Sequence, residues 1–157
     1  MAKPWKIVDL DPNESLKQCL HKIALTRFQE TFSYEMGAVK GEDVDALHDM
    51  RVAARRLRAV VRIFRNCFSK KKFKKQDARL QALIRSLGGV REHDVFIHVL
   101  TEYRKNLGPA DCRVIDLLIA RESTSRHLHR RILMRELKVL RRSKYTDSFA
   151  AFAQTSR

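Results

Sequence analysis

Apolar positions recur at intervals of three and four along the chain, the period of one helix face. Leu16, Leu20, Ile23, Leu25, Phe28, Phe32 and Met36 predict a first helix over 12–36. Asp11-Pro12-Asn13-Glu14 reads as its start: a capping acid, a proline suited to the first turn, and an acid two residues later. Gly37 to Gly41 ends it. Asp43, Val44 and Asp45 open a second helix, with acids at the positive end of its dipole. Its core stripe is Met50, Ala54, Leu57, Val61, Phe64 and Phe68, and it ends within 66–69.

Lys70-Lys71-Lys72-Phe73-Lys74-Lys75 leads into a third helix, marked by Leu80, Leu83, Ile84, Leu87, Val95, Phe96, Val99 and Leu100 and ending near Tyr103. Gly88-Gly89 in its middle predicts either a kink or the close approach of a neighbour. Val114, Leu117, Leu118, Leu128, Ile132, Leu137 and Leu140 mark a fourth helix over 109–142, and a short last one follows over 145–152. With only 5 Gly and 3 Pro in 157 residues, the turn residues that strands require are missing. The expected fold is all-α: an antiparallel four-helix bundle of long helices with a short C-terminal helix, one domain over 1–157.

Charge changes the picture. Lys and Arg number 33 against 18 Asp and Glu, a net charge of +15. Such an excess repels itself in the compact state and points to an anionic partner. From Met50 to Gln76 there are eleven Lys or Arg and no acid. His48, Arg51, Arg55, Arg58, Arg62 and Arg65 step by three and four, so they share one face, about 100° from the core stripe and about 25 Å long. Like charges so spaced cost a few tenths of a kcal/mol per pair, which an extended polyanion relieves. Arginine dominates the row, and its planar fork binds phosphate oxygens in pairs. A solvated face balanced by Glu30, Glu35, Glu92, Asp94 and Glu122 is the bland alternative, but these acids are too few for the row and the lysine run together.

Other chemistry is sparse. Cys19, Cys67 and Cys112 are far apart and odd in number, as expected of free thiols in a reducing compartment. No secretory leader or membrane span is legible, so a cytoplasmic location is expected. The histidines lack zinc-ligand spacing, and no nucleophile sits beside a base, so no metal, no cofactor and no catalysis are expected. The aromatics Phe28, Phe32, Phe64, Phe68, Phe96 and Phe149 fall mostly on apolar stripes, so they read as core, not as platforms for bases.

His48-Asp-Met-Arg51-Val52-Ala-Ala-Arg55-Arg56-Leu57-Arg58 resembles the HxxRVxxRRLR signature of CHAD domains, the conserved-histidine α-helical domains. Leu87-Gly88-Gly89-Val90-Arg91-Glu92-His93-Asp94-Val95 is similar to their LGxxRDxDV motif, and Ser143-Lys144-Tyr145 to the SxRY segment that ends the family's first half. The resemblance implies two similar four-helix halves around a basic cavity. It also implies binding of inorganic polyphosphate, sometimes at granules or beside a triphosphatase. By motif match, His48, Arg51, Arg55, Arg56 and Arg58 carry the anion site; Arg62 lies in the same row, Arg91 is a further cation, and Asp94 either orients Arg91 or closes a structural ion pair. Arg51, Arg55 and Arg58 are expected to dominate.

This chain departs in three places. Glu92 replaces the usual Asp, Gln81 stands where a basic residue is common, and only one half is present. Two copies pair as a homodimer to rebuild the cavity, a single half offers an open groove, or the sequence is a fragment of a longer one. The competing reading is a nucleic-acid-binding or ribosome-associated helical protein, since the same row can lie along duplex phosphates.

Overall fold

The computed structural model describes residues 3–41 and 44–154. Every regular element there is helical: α1 (Leu16–Ser33), α2 (Glu35–Lys40), α3 (Val44–Ile63), α4 (Lys70–Arg104), α5 (Pro109–Arg142) and α6 (Tyr145–Gln154), with a single 3-10 turn at Arg65–Cys67. The all-helical expectation holds, with shifted boundaries.

The first helix starts at Ser15, not at Asp11. The Asp11 carboxylate accepts from the Asn13 amide at 2.9 Å and its carbonyl accepts from Glu14 at 3.0 Å, so this segment closes on itself as a turn. The true cap is a capping box. Ser15 Oγ accepts from the Gln18 amide at 3.3 Å, while Gln18 Oε1 accepts from the Ser15 amide at 3.0 Å. The Asp43 part of the predicted second start lies outside the described residues.

Tyr34 separates α1 from α2, so the region predicted as the end of one helix is the start of another. Gly37 lies inside α2, and Gly41 closes it at φ +72°, the left-handed geometry of a helix end. Arg130 of α5 docks on this end. It donates to the carbonyls of Ala38, Val39 and Lys40, and its guanidinium stands where a Cβ on Gly41 would be.

α1 packs on α3, α3 on α4 and α4 on α5, while α6 joins α1 to α5. Pairs that cross from α4 to α5 fix an antiparallel hairpin: Arg104 with Asp116, Asp94 with Arg126 and His93 with Glu122. α4 runs without a break in its helical hydrogen bonding through Gly88-Gly89, and the close approach of a neighbour is real. A Cβ on Gly89 would lie 2.4 Å from His129 Nδ1.

The core is built from Leu20, Ala24 and Phe28 of α1, the Leu47, Met50, Ala54, Leu57, Val61 stripe of α3, Leu80 to Val90 of α4, and Leu133, Leu137 and Leu140 of α5. α6 closes it with Tyr145, Phe149 and Phe152, Phe149 stacking on Phe28 at 4.5 Å. All of this lies at one end of the α4–α5 hairpin. At 1.5 Å per residue α4 and α5 are about 50 Å long and α3 only about 30 Å, so the hairpin overhangs. No apolar residue of α5 before Leu133 is buried. Val95, Phe96, Val99, Val114, Leu117, Leu118, Leu128 and Ile132, read from sequence as core markers, are exposed along the overhang, Leu117 to 72%.

Candidate polyanion groove

The amphipathic pattern of α3 forces its basic row to one side of the buried stripe, and the row faces the flank of α4. Where α3 begins, the two helices enclose a groove of about 470 Å³. It is lined by His48 and Arg51 from α3 and by Gly88, Arg91, Glu92, Val95, Phe96 and Val99 from α4. His48 Nδ1 and Arg51 Nε are buried and have no hydrogen-bond partner among the described residues. Burying a polar group without a partner costs free energy, so such atoms mark where a ligand would be rewarded. Arg91 also borders a second depression of about 700 Å³ that runs on toward Asp94, His98 and Arg126.

The remaining predicted cations divide. Arg55 and Arg62 are exposed one and three turns beyond Arg51 and extend the row. Arg58 is held by Asp77 of α4, with bonds of 2.7 and 3.1 Å from its two nitrogens, and this carboxylate raises the guanidinium pKa further. Arg56 turns to the far side of α3, where it meets Glu30 of α1 at 3.0 Å. The structure therefore brings His48, Arg51 and Arg91 together, aligns Arg55 and Arg62 with them, and gives Arg56 and Arg58 protein partners.

Of the acids that the bland alternative sets against the row, Glu35 pairs with Arg141, Asp94 with Arg126 and Glu122 with His93. Asp94 therefore takes the second of its two expected roles, a structural ion pair, with Arg126 and not Arg91. The acid that does reach the row, Asp77, stands one residue past the acid-free stretch. Arg85, exposed one turn before Gly88 on the groove side of α4, was also missed, although counting back from Gly88 by three reveals it. Phe96 is a third miss: it is 47% exposed and lines the groove instead of the core. The lysines at 70–75 form the first turn of α4, where no acid offsets the positive end of the helix dipole. By helix spacing Lys70 and Lys74 fall on the side of Arg85 and prolong the basic band, while Lys72 and Lys75 border a depression against α6.

The CHAD domain family model matches residues 22–157, most of the chain. This chain belongs to the CHAD domain family. Comparison with curated proteins finds no match. The match spans both motifs that meet at the groove, the His48–Arg58 segment of α3 and the Leu87–Val95 segment of α4, so the CHAD signature and the unpartnered polar atoms coincide in space.

Asp77 gives this CHAD groove a testable brake. Asp77→Asn frees the Arg58 fork and adds one unit of net positive charge to the band. On the polyphosphate reading proposed below, the expected result is an affinity raised by about three- to tenfold, since a charge-assisted contact is worth about 1 kcal/mol or more. Fluorescence titration checks it; unchanged affinity would show that Arg58 lies off the binding path.

Proposed function

We propose that this CHAD domain binds inorganic polyphosphate in the groove between α3 and α4, without turning it over. The observation that carries the reading is the pair of buried, unpartnered nitrogens, His48 Nδ1 and Arg51 Nε, beside Arg91. Arginine forks and one imidazole match successive phosphate oxygens, and the band from Arg91 to the lysine run gives a linear anion a track. The groove lining holds cations and apolar carbon, with Glu92 the one acid, and no hydroxyl or thiol nucleophile. Family membership supports the same ligand. No helix among the described residues is long and apolar enough to cross a membrane.

Exposed Phe96 favours a second reading. An aromatic inside a basic groove is the arrangement on which single-strand binders stack bases. The two separate in a competition titration at about 150 mM salt, with labelled long-chain polyphosphate displaced by RNA or DNA. Polyphosphate is expected to hold its place about tenfold better per phosphate. Equal displacement would transfer the groove to nucleic acid.

The reading extends to pairing. Helix geometry puts Phe96, Val99 and Tyr103 of α4 and Val114, Leu118 and Ile132 of α5 on one side of the hairpin, the side on which the groove opens. With Val95, Leu117 and Leu128 nearby, half-exposed side chains of this size present on the order of 800 Å², what each partner of a stable interface contributes. A second copy seated there would set two basic grooves against each other, with bound polyanion offsetting the repulsion. Light scattering at the end of the same titration is expected to report twice the chain mass.

A further inference from the structure

α5 carries a second basic row that the groove does not use. Between Arg126 and Arg142 it holds seven Lys or Arg and one acid, Glu136. Three of these cations are tied: Arg126 to Asp94, Arg130 to the end of α2, and Arg141 to Glu35. The other four, Arg131, Arg135, Lys138 and Arg142, are exposed and have no hydrogen-bond or ion-pair partner among the described residues. With His127 they step by four, four, three and four, so they share one side of the helix over about 22 Å. His127, Arg131 and Arg135 also border a shallow depression of about 460 Å³.

The direction of the row follows from helix geometry. Glu122, Arg126 and His129 face α4, through bonds to His93 and Asp94 and by the approach to Gly89. At about 100° per residue, the row lies about 180° from those three. It points directly away from α4, at the edge of the hairpin farthest from the groove between α3 and α4. A phosphate chain seated in the groove cannot reach it without wrapping the hairpin.

We propose that the α5 row is a second polyphosphate-contact face, so that one chain holds two stretches of the anion and crosslinks long polyphosphate. This rests on the groove reading and adds valency to it. Two modest sites joined rigidly exceed either alone when the ligand is long enough to engage both, and on separate ligands they act as a bridge. The four free cations repel one another, and by helix spacing Glu136 lies on another side of α5, so a second anion relieves the repulsion.

The test uses beads coated with long-chain polyphosphate, which capture fluorescent long-chain polyphosphate only through a bridging protein. The variant is Arg131→Gln with Arg135→Gln and Lys138→Gln. The control, Lys3→Gln with Lys6→Gln and Lys17→Gln, removes the same charge elsewhere. The α5 variant is expected to keep short-chain polyphosphate affinity within about twofold and to lose bridging by about fivefold or more, while the control bridges like the parent. Unchanged bridging by the α5 variant, or an equal loss in the control, overturns the second face and leaves the groove standing. Absence of any polyphosphate binding by the parent overturns the groove and the second face together.

Discussion

Replacing His48, Arg51 and Arg91 together by glutamine is expected to weaken polyphosphate binding by about 10²- to 10³-fold, about 3–4 kcal/mol, at a salt concentration near 150 mM. Each charge-assisted contact is worth about 1.5–3 kcal/mol, and neighbours on one ligand do not add in full. The salt dependence of the remaining binding is expected to flatten as well, because fewer counterions are displaced. Thermal stability should hold, since the buried nitrogens removed from His48 and Arg51 have no protein partner to lose. The comparison variant is Arg56→Gln. Its partner Glu30 lies across α3 from the groove, so affinity there should move by less than about twofold. If the triple variant binds as the parent does and Arg56→Gln does not, the site lies on the wrong side of α3.

The second large effect concerns folding. Glu30 is completely buried and joins Arg27 at 2.5 Å to Arg56 at 3.0 Å, with Arg27 also donating to the Trp5 carbonyl at 2.9 Å. One carboxylate thus ties α1, α3 and the N-terminal segment. Glu30→Ala leaves Arg27, 12% exposed, and Arg56, 28% exposed, without their shared carboxylate. Breaking a buried pair of this kind costs about 3–5 kcal/mol, which in a domain of this size lowers the melting temperature on the order of 10 °C. Thermal unfolding followed by circular dichroism at 222 nm reads it. Replacing Arg27 and Arg56 by Met and Glu30 by Leu in one chain should recover most of the loss, because a desolvated ion cluster is seldom better than a packed apolar one. A melting temperature unmoved by Glu30→Ala would mean that water reaches the triad.

What the sequence made legible follows from the range of the interaction. The α3 row and its core stripe repeat within one helix, so spacing alone placed Met50, Leu57 and Arg51 on their sides. The α1 start was misread because Asp11 and Ser15 are both good caps, and only the reciprocal bonds of Gln18 decide between them. Asp77 and Arg58 are nineteen residues apart, and no local pattern announces that bond. The exposed apolar stripe on the overhang was read as core because periodicity reports that a face is apolar, not that something covers it. Arg91 was found by motif, whereas Phe96, one and a half turns on, was assigned to the core by its place on an apolar stripe and misplaced.

The overhang also sets how the molecule comes apart. Its two strands of helix are clasped by ion pairs such as Arg104 with Asp116, half-exposed at 45% and 50%, and by Leu100, not by a shared core. Pairs of that exposure contribute little, so the hairpin tip opens at a fraction of the free energy needed to unfold the whole. The groove lies on the boundary: His48 and Arg51 belong to the body built on the shared core, while Val95 to Val99 lead into the overhang, where faster amide hydrogen exchange is expected. One wall of the site is thus expected to be stiffer than the other, and a partner settling on the tip would tighten the grip.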